Sequence, residues 1–285
     1  MAQARRRKLI WPVVRIVIGV LIVVWSLAPI YWGIVVSLST PGGLNSARPS
    51  PIPKPLTFSN YSALLHGGSA VSSTFLASLR NSAIEAAGTT VVTVVVAALA
   101  AYGFARWKFR GSSALFLIIL GTMALPVYAV LIPLFQFASH VNQVDTYQVI
   151  VLISVSASLP LSVWILRSHM ASLPVDIEHA ARIEGASWAT LLRKIVIPLI
   201  APGMAAAAVI VFLTTWASFL IPLTFASTIH TEPLTVILPQ YATRYSQEYG
   251  LQAAAGIIAL LPPAAVVCWL NRHLVRGLLA GAVNQ

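Results

Sequence analysis

Charge is what this 285-residue chain has least of. Asp, Glu, Lys and Arg together make up 9% of it, where a soluble domain carries roughly a quarter. Apolar residues reach 58%, and the mean hydropathy is +0.84. That excludes a soluble globular fold and points to a membrane protein. Cysteine occurs once, as Cys268 in the last apolar run. An internal disulfide is therefore excluded, and the thiol reads as a small packing residue. No Gly-x-x-x-x-Gly-Lys-Ser/Thr is present, so nothing suggests that the chain hydrolyses ATP on its own. No His-Glu-x-x-His occurs, and none of His66, His140, His230, His169, His179 and His273 pairs at metal-ligand spacing. An intramembrane enzyme would need a nucleophile–base pair or a metal cluster within the spans, and none is found.

What is present is a set of long apolar runs. Six spans are expected, at about Ile10–Leu38, Ser82–Phe104, Ser113–Phe137, Tyr147–Leu166, Met204–Phe225 and Leu251–Leu270. The first follows Arg5, Arg6, Arg7 and Lys8 and holds only Arg15 as a charge. It is about twice the length of a cleaved signal's apolar core, so it reads as an uncleaved span through a ~30 Å hydrocarbon layer. Residues 39–79, rich in Pro and Gly, read as an outer segment in which 57–65 form a short surface helix. Pro126, Pro133 and Pro160 fall inside spans, where neighbouring helices can satisfy the freed carbonyls. The expected fold class is all-α and polytopic.

The net charge of +11 would suggest a nucleic-acid partner in a soluble chain. Here the basic residues cluster between spans. Arg5, Arg6, Arg7, Lys8, Arg15, Arg106, Lys108, Arg110, Arg167, Arg182, Arg193, Lys194, Arg272 and Arg276 fall on the N-terminal side, against Arg48, Lys54, Arg80 and Arg244 on the other. The positive-inside rule then makes the N-terminal side cytoplasmic, with residues 1–9, a loop at 168–203 and a tail at 271–285.

That loop carries the chemistry. Pro174 suits the first turn of a helix, and Asp176 and Glu178 place negative charge near its positive end. Ile177, Ala180, Ala181 and Glu184 share one face centred on two small residues. Gly185 can take the left-handed conformation that ends a helix, and Ser187 can cap a second one from Trp188 to Ile197. Pro198 and Pro202 are expected to redirect the chain into the fifth span. The result is a helix–glycine–helix elbow with an alanine face open to a partner. Physics alone leaves an ordinary surface loop equally open.

The pattern resembles the Glu-Ala-Ala loop of ABC importer permeases. Ala180, Ala181, Gly185, Ile195 and Pro198 match it, while His179 stands where the family has glutamate and Glu178 precedes it. Asn81-Ser82, Ala101-Tyr102 with Arg106, Pro126, 132–135, Asp145-Thr146-Tyr147, Leu159-Pro160 and the tail 277–283 resemble the carbohydrate-type, maltose-like second permeases. The likeness implies a type I importer permease fold with both termini cytoplasmic in a bacterial plasma membrane. It implies a second permease subunit, a cytosolic ATPase dimer that binds ATP and Mg, and an extracytoplasmic solute-binding protein. Contact with the ATPase is then expected from Glu178, His179, Ala180, Ala181, Arg182, Glu184 and Gly185. The tail 277–285 is expected between the ATPases, and 241–249 is expected to be part of an outer loop that touches the binding protein.

Trp216 and Phe219 match the family's Trp-Asn-Asp/Glu-Phe, but Ala217 and Ser218 replace its polar pair. Trp216 then reads as packing before it reads as a platform for a pyranose ring. Gln136, Trp216 and Ser218 are the candidates for the solute pathway. Glu85 is an acid at a span's edge, expected to pair locally with Arg80. The function expected is import of a mono- or oligosaccharide driven by a separate ATPase. Import of another solute, such as a glycerophosphodiester or polyol, is the alternative. A secondary transporter is the more distant one, since such proteins carry ionisable residues deep in their spans and only Glu85 is a candidate here, and six spans are few.

Overall fold

A chain this apolar can satisfy its backbone in a bilayer only by closing hydrogen bonds within helices. The computed structural model describes residues 2–44, 50–66, 68–107, 109–241 and 248–282; for 2–10, 12, 13, 127 and 271–282 it describes the backbone alone. Expectations for Arg48, Lys108, Arg244, the side chains of 5–8, Arg272, His273 and Arg276, most of the outer loop 241–249 and the chemistry of the tail lie outside the described residues. Among those that are described, the chain is helical, with one isolated bridge between Ser39 and Leu56. The helices are α1 (Ala2–Ser37), α2 (Pro41–Leu44), α3 (Ser59–Leu65), α4 (Ala70–Arg106), α5 (Ser112–Gly121), α6 (Val127–His140), α7 (Tyr147–Ala171), α8 (Val175–Ile183), α9 (Trp188–Leu191), α10 (Ile197–Trp216), α11 (Leu220–Phe225), α12 (Leu234–Ile237) and α13 (Tyr249–Ala282). Among the described residues, five helices are long and apolar enough to cross a membrane, or six if the bent α5–α6 pair is one span.

The chain divides into two compact units, residues 1–76 with 238–260 and residues 77–237 with 261–285. In the first, α1 is exposed from Val14 to Trp32, an apolar surface suited to lipid or to another helix. The segment after it is more ordered than its Pro and Gly content suggests. Asn60 Nδ2 donates to Ser37 O at 2.8 Å, Ser37 Oγ and Tyr61 OH lie 2.7 Å apart, and Thr57 N donates to Leu38 O at 2.9 Å. These bonds fold α3 back onto the end of α1.

The second unit holds the main core. Val94, Ala97, Ala98, Ala101 and Tyr102 of α4 pack with Val163, Leu166 and Met170 of α7 and with Leu191, Val196, Ile200 and Ala207 of the elbow and α10. Alanines on α4 let the neighbouring backbones approach closely, since lipid offers no hydrophobic drive between helices.

Three expectations about helix ends are corrected. First, α4 starts at Ala70, not near Ser82. At 37 residues it is about 55 Å long, well beyond the hydrocarbon thickness. Second, the third span is not one helix: α5 and α6 meet at 96°. Pro126 forces Leu125 into an extended conformation, with ψ at 129°, and the helix stops there. Third, Pro198 and Pro202 do not turn the chain. A π turn over Leu192–Val196 precedes α10, which runs on through both prolines. Widening the turn ahead of Pro198 makes room for its ring without breaking the helix.

Gly203 of α10 shows how tightly α7 and α10 meet. A Cβ at this position would lie 2.5 Å from the His169 ring and 3.2 Å from His169 Cβ. Gly203→Ala is expected to lower stability by about 1–3 kcal/mol through overpacking. Thermal unfolding in detergent measures the loss, and adding His169→Ala should recover most of it.

Candidate functional site

The elbow at 174–198 is built by local rules. Pro174 precedes α8, whose first turn carries Asp176 and Glu178. At its end Gly185 takes φ +83°, Gly185 N donates to Arg182 O and Ala186 N to Ala181 O, both at 3.0 Å. This pair of bonds is the Schellman closure, and it needs a left-handed residue at Gly185. Ser187 then caps the next helix, accepting from Thr190 N at 3.3 Å.

The two faces of α8 differ. Glu178 and Ala181 are buried, while His179, Ala180, Arg182, Ile183 and Glu184 are exposed. The alanine face expected to lie open is therefore split: Ala180 points out, and Ala181 joins the core. Ile183 is 88% exposed, so its apolar surface is open to contact. Glu178 is turned inward, with Oε1 2.6 Å from Arg106 Nε and Oε2 accepting from the Tyr102 hydroxyl at 2.9 Å. Arg106 Nη2 also donates to Leu173 O at 3.2 Å. Tyr102 and Arg106 are four residues apart, on one face of α4. Arg182 lies over the Trp188 ring at 4.2 Å, and that ring meets Tyr102 and Trp107 edge-on at 5.9 and 6.2 Å. Arg106 was visible as a motif residue, but its partner was not. Nothing in the sequence distinguished Glu178 from Asp176 as the acid that turns inward.

A second polar knot gathers at Asn81 and Ser82, within the first half of α4. Asn81 Nδ2 donates to the carbonyls of Ile229 and Glu232 at 2.9 and 3.0 Å, and Ser82 Oγ accepts from Leu234 N at 2.8 Å. Tyr147 OH lies 2.6 Å from both Asn81 Oδ1 and His230 O. Asp145 accepts from Ser227 N, Thr228 N, Thr228 Oγ1 and Thr231 Oγ1. Burial pushes its carboxyl up, but these hydrogen bonds outweigh it and hold Asp145 below the ordinary value. Glu232 is raised, by burial first and then by the charge of Asp145.

The three solute-pathway candidates separate. Ser218 lines a cavity of about 210 Å³ between α7 and α10, together with Ser154, Ser158, Thr214 and Thr215. The last four were missed, and nothing but their small polar type in two adjacent spans marked them. Trp216 is half-buried and stacks on Phe212 at 5.6 Å. Gln136 is exposed on α6 and is absent from the lining of this cavity. The expected Arg80–Glu85 pair does not form: Arg80 is exposed, Glu85 is 4% exposed, and the ion pair found among the described residues is Arg106–Glu178. Arg80 and Glu85 are five apart, on different faces of α4.

Residues 93–279 match the family model described as binding-protein-dependent transport system inner membrane component. The chain is 30% identical over 281 residues to the trehalose transport system permease protein SugB of Mycobacterium tuberculosis, covering 98% of each. It is 31% identical over 285 residues to the trehalose/maltose transport system permease protein MalG of Thermococcus litoralis, covering 98% of this chain and 99% of the relative. Among solved structures, a bacterial ABC transporter involved in import of the acidic polysaccharide alginate superposes with a TM-score of 0.80 at 20% identity, over 92% of this chain and 96% of that one. This last likeness bears on the fold.

Asp145→Asn tests the outer knot. An acid held below its ordinary value of 3.8 stabilises the fold fully above that pH and loses the effect as pH falls through its lower folded value. Wild type should be more thermally stable than Asp145→Asn at neutral pH. The gap should close only when the pH is taken below 3.8.

Proposed function

The chain belongs to the family of binding-protein-dependent transport system inner membrane components, and on that footing we propose that it forms half of the translocation pathway of an ATP-driven sugar importer. The observation that carries the sugar is the near-full-length likeness to two permeases named for trehalose and for trehalose and maltose. A second six-span permease completes the pathway, and a solute-binding protein delivers sugar from the outer side. ATP and Mg are held by a pair of cytosolic ATPases, so hydrolysis belongs to the partners and not to this chain. Both termini and the elbow 174–198 lie in the cytoplasm, in keeping with the fourteen basic residues on that side.

In this reading α8 is the docking element. Its outward face, with His179, Ala180, Ile183 and Glu184, meets the ATPase. The small side chain of Ala180 allows close approach, and Ile183 supplies apolar area that a groove can cover. His179 places an imidazole where the family has a carboxylate. Gly185 fixes the angle between α8 and α9 through its closure of the first helix. When the ATPases close, the docking helices draw together and the two permease bundles rock between inward- and outward-facing states.

Co-expression should yield a complex with a second permease, an ATPase and a binding protein that takes up labelled trehalose or maltose with ATP. A homodimer driving uptake from a proton gradient would contradict the proposal. Within the complex, Gly185→Pro loses both the φ of +83° and the N–H that bonds Arg182 O. It is expected to cut uptake per ATP hydrolysed by about tenfold, and an unchanged ratio would count against the docking role.

A further inference from the structure

Glu178 lies in the helix read as the docking element, yet it does not face the partner. It is 5% exposed, and both carboxylate oxygens are engaged within the chain, by Arg106 and by Tyr102. The same two residues of α4 reach the rest of the elbow. Arg106 bonds Leu173 O in the link before α8, and Tyr102 packs on Trp188 at the start of α9. The docking helix, the link that precedes it and the helix that follows it are thus all fixed to the final turns of α4.

The same helix is fixed at a second place, nearer its start. Asn81 and Ser82 hold the carbonyls of Ile229 and Glu232 and the amide of Leu234. No break interrupts α4 between Ser82 and Tyr102. About 20 residues of continuous helix, roughly 30 Å, therefore separate the two anchorages.

We propose that Arg106, Glu178 and Tyr102 form a positioning clamp that makes the docking elbow and α4 move as one body. A displacement of α8 is then delivered along α4 to the 227–234 loop. The proposal rests on the reading of α8 as the docking element. A charge pair suits this task better than apolar contact. Apolar surfaces slide past one another at little cost, whereas separating this pair leaves each charge uncompensated in a packed, desolvated site. States in which α8 shifts and α4 does not are disfavoured for that reason. Tyr102 narrows the geometry further, because its hydroxyl occupies the second carboxylate oxygen.

The test uses the assembled transporter in a Cys268→Ser background. Spin labels go on Asp176→Cys, exposed in the first turn of α8 and outside the face assigned to the ATPase, and on Leu99→Cys, which is 58% exposed on α4. Their separation is measured by pulsed electron resonance without nucleotide and after trapping with MgATP and vanadate. In the otherwise wild-type complex a single narrow distance is expected, identical in both states. Glu178→Gln, Arg106→Gln and the double variant should each broaden the distribution to a similar degree and let it shift on trapping. The double variant leaves no unpaired charge, so its folding is not in question, and non-additivity is the mark of one shared interaction. A wild-type distribution retained in the double variant overturns the clamp, as does a nucleotide-dependent shift in the wild-type pair. Failure of an ATPase to co-purify with wild type overturns the docking reading and the clamp with it.

Discussion

The buried pair of Arg106 and Glu178 is the interaction on which the arrangement of the elbow depends. Losing one partner of such a pair costs about 3–5 kcal/mol, because the other is left charged and unsolvated. That cost orients α8. With Glu178 drawn inward at 2.6 Å from Arg106, residues one, two and five positions further on are turned outward. His179, Ala180 and Ile183 are exposed as a result, and Ala181 enters the core. The same pair explains how a nine-residue helix, too short to be stable alone, keeps a defined pose.

The bilayer supplies the second constraint. Helices that must satisfy their own backbones become long and continuous, and α4 is the extreme case. Its alanines bring α7 and the elbow close, and two groups of polar residues along it hold loops in place. Asn81, Ser82, Tyr147 and Asp145 tie the loop that follows α11, and Tyr102 and Arg106 tie the elbow. Proline is accommodated in three ways. At Pro126 it ends a helix, within α7 Pro160 is buried, and before Pro198 the turn widens.

Much of this was legible in the residues. Apolar runs and basic clusters marked the spans, and Gly185 and Ser187 marked the elbow's joint, because caps and left-handed turns are local chemistry. Burial was not legible. The periodicity of α8 put Ala180 and Ala181 on one face, but which side of that face meets the core depends on Arg106, 72 residues earlier in the chain. The expected Arg80–Glu85 pair failed for a related reason: proximity in sequence was taken for proximity on a helix surface. The hydroxyls of Ser154, Ser158, Thr214 and Thr215 carry no pattern until α7 and α10 are side by side. The family resemblance rests on motifs spread along the chain, and the match over residues 93–279 takes in most of them, with Asn81-Ser82 lying outside it.

The central claim is that α8 meets an ATPase through the face that Glu178 leaves outward. A photocrosslinking residue placed at Ala180, Ala181 or Ile183 of the assembled transporter tests it most directly. Adducts to the ATPase are expected from positions 180 and 183, with little or none from 181. Adducts from 181 equal to those from 180, or none from 180 and 183, would contradict the account.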